Sequence, residues 1–452
     1  MKPIKICIIA GEPSGDSLGA KLVAALKSQK LKTYILEKIL TKYKKNLTTE
    51  IEKALPEIPA PDQKIQFTFY GVGGKEMESA GVELMFDYQD IAVMGLVEVI
   101  SSIPRIYLRL QQAKKAILAF QPDVVITIDS PGFCFRLVEE LREIMQKKSI
   151  YCRLVEKLCK TMPKKSTDCL FIHYVAPTVW AYKHERAETI KRLYDSIILI
   201  LPFETHYFAD MPHIYIGNPV VEDKTFETDI NQEKLLKKLK LPQKSNLISL
   251  FPGSRKQEIK RHMPILVSCI RMIIDQSPSQ NYLFIIHTLD YLAEFLNNWL
   301  EDNASDLANI QAIKVISDQE SKNATLRCSK LALVKGGTIT LNVLAFQIPM
   351  IVFYQVAPLT ARIMQRKCQI KNFALANLIL DRIVVPEFIQ NDCTAENLAN
   401  AALKILAENN SVRAQDTYYK KLWDILGANE KQTPSEKAAR HLVDSLFLNK
   451  II

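Results

Sequence analysis

Residues 124–137 read VVITIDSPGFCFRL. Val124, Val125, Ile126 and Ile128 form a short apolar run bounded upstream by Gln121-Pro122-Asp123, the pattern of a strand buried on both faces of a parallel sheet. Asp129-Ser130-Pro131-Gly132 closes the run, and a helical pattern begins there, expected to reach about Lys147. Open α/β sheets bind ligands outside the carboxyl ends of their strands, which puts the Asp129 carboxylate where chemistry takes place. An aspartate before a helix is also a favoured cap, so both readings of Asp129 stand at this point.

The same grammar runs outward in both directions. Ile4–Ala10 reads as a first strand rather than a leader peptide, because Lys5 interrupts it and a glycine turn follows at once. That turn, Gly11-Glu12-Pro13-Ser14-Gly15-Asp16, is not the dinucleotide fingerprint. Glu12 and Asp16 make it acidic, which suits sugar hydroxyls better than phosphate. Further strands are expected at 67–72, 170–175, 197–201 and 214–216, with a polar hinge after Gly217. His173, in mid-strand, reads as a hydrogen-bonded core histidine. The second half repeats the logic with strands at 247–251, 282–287, 312–316, 331–334 and 350–354, and helical patterns to the end. The expected domains are therefore 1–217 and 218–452, two doubly wound α/β units facing a cleft. Lysine-rich stretches at 31–64 and 149–168 read as insertions, the first as one helix and a mobile loop. The apolar segment 92–110 is either packed core or an exposed apolar and basic face for lipid.

Two turns in the second half suit a diphosphate. Gly253-Ser254-Arg255 offers small residues and a guanidinium that forks onto phosphate. Gly336-Gly337-Thr338 precedes a helix, with free N–H groups at its start. No Asp-x-Asp motif is present, so the expected site needs no metal. The formal charge of +10 favours anionic partners or reflects lysine-coated insertions. The nine cysteines have no paired spacing, so neither disulfides nor zinc are expected. No apolar run approaches membrane-spanning length. No aromatic-basic strand motif for RNA occurs, and no nucleic acid is expected as partner.

Taken together, the motifs resemble the lipid-A-disaccharide synthase family of GT-B glycosyltransferases over nearly the whole chain outside the insertions. The resemblance rests on AGEPSGD at 10–16, VMGLVEV at 93–99, IDSPGF at 128–133, HYVAPTVWA at 173–181, LPFE at 201–204, PGSR at 252–255 and NLI at 377–379. It implies an inverting transfer of a diacylated glucosamine from UDP to the 6-hydroxyl of a diacylated glucosamine 1-phosphate, giving the β-1,6 lipid A disaccharide 1-phosphate and UDP, with no cofactor. By resemblance Asp129 is the general base, and Glu12, with Ser14 and Asp16, orders sugar hydroxyls. Ser254, Arg255, Gly337, Thr338, Asn342, Arg366 and Asn377 lie on the nucleotide side. Met94 and Gly95 belong to a lipid-facing segment, 94–106. The resemblance further implies a protein of Gram-negative bacteria, peripheral on the cytoplasmic face of the inner membrane, and allows a homodimer through the C-terminal parts.

The chain departs from the family pattern in several places. Asn342 stands where Glu is usual, Gly336 for Ser, Asn218 for His, Cys134 for Asn and Ala376 for Pro. Loss of the charge-assisted bond that a Glu makes to ribose predicts weaker UDP affinity or an altered donor. Competing readings are another GT-B transferase, a UDP-sugar epimerase, which needs no second lipid substrate, and a homologue that binds without turnover.

Overall fold

The computed structural model describes residues 3–45, 66–92, 96–158, 169–181, 184–223, 232–242, 245–357, 361–362, 372–407, 409–449 and 451. The chain forms two compact units. The first is Met1–Pro219 with Lys431–Ile452, and the second is Val220–Glu430.

The first unit is built on a seven-stranded parallel sheet. Its strands are β1 (Ile4–Ala10), β2 (Phe67–Gly73), β3 (Glu83–Asp87), β4 (Val124–Ile128), β5 (Leu170–Tyr174), β6 (Ser196–Leu199) and β7 (His213–Tyr215). They lie in the order β3-β2-β1-β4-β5-β6-β7, so the chain reverses its direction of travel between β1 and β4. Ala10 pairs with Ile128, which makes the turns after those two strands leave the sheet side by side.

All five residues of β4 are buried, because helices cover both faces of the sheet. Ile6, Ile8, Val124, Ile126 and Ile128 face one core, with Leu22 and Leu26 of helix Pro13–Lys27. Cys7, Ile9 and Val125 face the other, with Leu137 and Leu141 of helix Pro131–Leu158. Helix Pro434–Leu448 also belongs to the first core, through Ala438, Leu442 and Leu446. Its His441 Nε2 lies 2.5 Å from Ser196 Oγ.

The second unit has a six-stranded parallel sheet. Its strands are β8 (Asn246–Phe251), β9 (Tyr282–His287), β10 (Ile313–Ile316), β11 (Ser329–Lys335), β12 (Met350–Tyr354) and β13 (Glu387–Ile389), in the order β10-β9-β8-β11-β12-β13. Here the reversal falls between β8 and β11, whose residues Phe251 and Val334 are paired. Among the described residues no helix is long and apolar enough to cross a membrane.

Three expectations need correction. The stretch from Leu31 is not simply inserted. It lies in helix Gln29–Lys45, whose Leu31 and Ile35 enter the first core, and Tyr34 and Lys38 both bond the Asp444 carboxylate at 2.7 and 2.5 Å. The remainder of that stretch, 46–64, lies outside the described residues. The helix expected to stop near Lys147 continues to Leu158, since no glycine or proline interrupts it after Gly132. The end of the chain is not wholly helical either, because β13 adds a short edge strand beside β12.

Candidate active site

The turn after β4 is strained. Asp129 and Ser130 have φ of 49° and 46°, and Val175, just past β5, has φ of 74°. These are left-handed conformations that side-chain-bearing residues seldom adopt, least of all a β-branched one. Neighbouring strands hold them there. The Asp129 N–H donates to Tyr174 O at 3.0 Å, and the Val175 N–H donates to Ile198 O at 3.0 Å. The Ser130 carbonyl accepts from Phe133 and Cys134, opening the helix that follows. Gly11 completes the fit, because a Cβ there would overlap the Ser130 hydroxymethyl group.

Among the described residues no N–H of that helix's first turn bonds the Asp129 carboxylate. It takes the Ser130 N–H instead, so the capping reading does not apply. Burial raises the proton affinity of Asp129, opposed by the Ser130 N–H and by the charge of Arg186.

Sequence reasoning missed a second carboxyl group here. Glu204 is 1% exposed in the 3₁₀ turn Pro202–Phe208, and its Oε2 accepts from Leu201 N at 3.2 Å. Burial pushes it up to about 8, against bonds from Leu201, Ile200 and the Trp180 side chain, and the Asp129 charge adds to the rise. Its motif was legible, but its nearness to Asp129 was not. Beneath the turn, His173 is fully buried with Nδ1 2.7 Å from Thr127 Oγ1, and burial lowers it to about 3. It is a core histidine.

The residues of the first glycine turn divide. Glu12 leaves β1 beside the Asp129 turn, half-buried and extended, and its side chain does not cap the helix behind it. Ser14 is exposed in that helix's first turn. Asp16 faces inward and is 4% exposed. Its Oδ1 accepts from Gly74 N at 2.7 Å and Met77 N at 3.1 Å, and its Oδ2 accepts from Glu76 N at 3.1 Å. It therefore caps helix Lys75–Ser79, with its oxygens engaged by backbone rather than turned to a sugar. Met94 and Gly95 lie outside the described residues.

In the second unit the turns after β8 and β11 do come together. Gly253, Ser254, Gly337 and Thr338 line a cavity of about 180 Å³, with Lys322 and Lys335 on its wall. Gly253 has φ of 129°, and a Cβ there would collide with Glu258. That close approach lets Glu258 Oε2 accept the Ser254 N–H at 3.1 Å, while its Oε1 lies 3.1 Å from Lys335 Nζ. His262 steadies the same turn, with Nδ1 2.7 Å from Pro252 O. His287, lowered to about 3 by burial, stacks on Phe251 at 4.4 Å. Sequence reasoning placed Lys335 at the end of its strand but gave neither lysine a role, and it did not name Glu258.

Arg255 is 58% exposed and is not part of the cavity wall, nor is Asn342, half-buried in helix Ile339–Ala345. Asn377 is also reassigned. It is 0% exposed, donates to Val385 O at 2.8 Å, and accepts from Val384 N and Val385 N at 2.8 and 2.9 Å. Those bonds brace the loop leading to β13 and leave its carboxamide oxygen fully used. Arg366 lies outside the described residues. No group of three or more His, Cys, Asp or Glu that could hold a metal occurs among the described residues.

A family profile for lipid-A-disaccharide synthetase matches residues 6–154 and 152–441. A lipid-A-disaccharide synthase of Rickettsia akari is 30% identical over 452 residues, covering 99% of this chain and 97% of its own. That of Rhodospirillum centenum is 29% identical over 448 residues, covering 98% and 95%. Solved structures share the fold at much lower identity. The S. aureus MnaA–UDP complex superposes with a TM-score of 0.57 at 12% identity, covering 99% of this chain and 97% of its own. The UDP-GlcNAc 2-epimerase of Neisseria meningitidis, bound to UDP-GlcNAc, gives 0.54 at 11%, covering 98% and 100%. Epimerases thus share the architecture, whereas the sequence match over the whole chain is to the synthases. The chain is a GT-B protein and belongs to the lipid-A-disaccharide synthetase family.

Proposed function

We propose that this chain condenses UDP-2,3-diacylglucosamine with 2,3-diacylglucosamine 1-phosphate, with Asp129 as general base. The observation that carries this reading is the strained turn at the β1/β4 reversal, which presents a half-buried carboxylate of raised proton affinity at a strand end. The carboxylate takes the proton of the acceptor's 6-hydroxyl as that oxygen bonds the donor's anomeric carbon. The bond to the UDP oxygen breaks in the same displacement, so the configuration inverts and UDP leaves with the bonding electrons. Glu12, leaving the neighbouring strand, orders sugar hydroxyls beside the base. The cavity at the β8/β11 reversal holds UDP, and the backbone and side chains of its two glycine turns stabilise charge on the leaving diphosphate.

Helix Leu96–Phe120 supports a lipid-facing role. It buries Leu110, Ala113 and Ile117 but leaves Ile103, Tyr107 and Leu108 exposed at 54, 58 and 69%, with exposed Arg105 among them. An apolar face carrying basic charge suits an anionic bilayer surface, and we place the protein peripherally on the cytoplasmic face of the inner membrane.

The test supplies both lipid substrates to the purified protein and follows products by mass spectrometry. Disaccharide 1-phosphate and UDP in equal amounts are expected. A folded protein that binds UDP and forms no disaccharide would overturn the proposal.

A further inference from the structure

The second unit's cavity carries cationic charge beyond its two glycine turns. Lys335 ends β11, and its ammonium lies 3.1 Å from Glu258 and 4.8 Å from the centre of the Tyr354 ring. Glu258 is already committed through its other oxygen to the Ser254 N–H, so Lys335 is held at the turn rather than free to swing away. Lys322 comes from helix Gln319–Arg327 and stands 5.9 Å from the Phe251 ring centre.

No carboxylate pairs with Lys322 among the described residues, and burial alone lowers its proton affinity. A half-buried ammonium without a counter-ion is costly, and a ligand that brings negative charge removes the cost. The same wall holds two buried polar atoms without a hydrogen-bond partner, His287 Nδ1 and Thr288 Oγ1. A cavity with two ammonium groups and unmet polar atoms is suited to a polar, anionic ligand.

Resting on the reading of this cavity as the nucleotide site, we infer that Lys322 and Lys335 are the cations with which this chain recognises the phosphates of a nucleoside diphosphate. Lys335 is prepositioned by Glu258 and Tyr354. Lys322 gains its first counter-ion when the ligand arrives. A nucleoside without phosphates leaves Lys322 as it was, so the lysines discriminate by charge and not by the base.

Calorimetric titration of the full chain with UDP, uridine and inorganic pyrophosphate, at low and high salt, tests this for wild type, Lys322→Met, Lys335→Met and Lys322→Arg. Each methionine variant is expected to lose about 10- to 100-fold in UDP affinity, the worth of a hydrogen bond to a charged group. Pyrophosphate binding should weaken in parallel, the salt dependence should flatten, and uridine binding should hold. Lys322→Arg should recover most of the loss. Unchanged UDP affinity in both methionine variants, beside a wild type that binds, would overturn the inference and leave the nucleotide site standing. Equal losses for UDP and uridine would reduce the lysines to shaping the cavity, against the inference. A wild type that binds neither UDP nor pyrophosphate would overturn the nucleotide reading and the inference with it.

Discussion

Replacing Asp16 separates a structural carboxylate from a substrate-binding one. Its Oδ1 serves the Gly74 and Met77 N–H groups, and its Oδ2 serves that of Glu76. In Asp16→Asn the amide oxygen can keep the first pair, while the new NH₂ meets the Glu76 N–H donor to donor. One charge-assisted bond is lost and two are weakened, a cost of about 2–3 kcal/mol. Asp16→Ala orphans three donors, and because they share one carboxylate the losses are not additive; about 3–5 kcal/mol is expected. Urea denaturation read by fluorescence and circular dichroism should rank wild type above Asp16→Asn above Asp16→Ala. Turnover of protein kept folded at low temperature should stay within a few-fold of wild type. An Asp16→Asn variant of wild-type stability whose turnover is lost would refute the reasoning and return Asp16 to the sugar.

Asn377→Ala should destabilise the second unit by about 3–5 kcal/mol, since three partners and a cavity are left in a fully buried site; wild-type stability with lost UDP affinity would contradict this. Glu204 holds a proton in the folded chain up to about pH 8 that the unfolded chain releases near its ordinary value of 4.5. Its contribution to stability is therefore complete below about 4.5 and fades as pH rises toward 8. Glu204→Gln cannot titrate, so its denaturation midpoint should gain on wild type across that window, and parallel midpoints would count against the shift. Tyr107→Ser with Leu108→Ser should weaken sedimentation with anionic phospholipid vesicles by about tenfold or more, given the apolar area removed. Unchanged binding would move the lipid surface elsewhere.

Most strands were legible because helices cover both faces of each sheet. Ile4–Ala10 and Val124–Ile128 consequently read as continuous apolar runs, and the turns that follow them mark the sites. The edge strands β3 and β13 went unread, because neither is a continuous apolar run: Glu83 and Asp87 bound the first and Glu387 opens the second. A helix was expected in the stretch that holds Gln29–Lys45, but its place in the first core was not, because its lysines dilute the apolar positions Leu31 and Ile35. Asp16 and Asn377 were misread for a different reason. Each sits in a motif that resembles a binding sequence, but its hydrogen-bond partners are set by how the chain returns, 58 residues on for Gly74 and eight for Val385. Glu204, Glu258, Lys322 and Lys335 acquire their interest only from neighbours distant in sequence or across a turn, so residue type alone could not single them out.

Asp129 is the residue on which the proposed chemistry depends most. Turnover of UDP-2,3-diacylglucosamine with 2,3-diacylglucosamine 1-phosphate should be compared in wild type and Asp129→Ala, both checked for folding and UDP binding. The base must be ionised, so wild-type kcat/KM should decline as pH falls through a value above the ordinary 3.8 of an aspartate. Asp129→Ala should bind UDP as wild type does and lose about 10²- to 10⁴-fold in kcat/KM, the contribution of a positioned general base. Near-normal turnover in the variant would contradict the assignment of the base at the β4 turn.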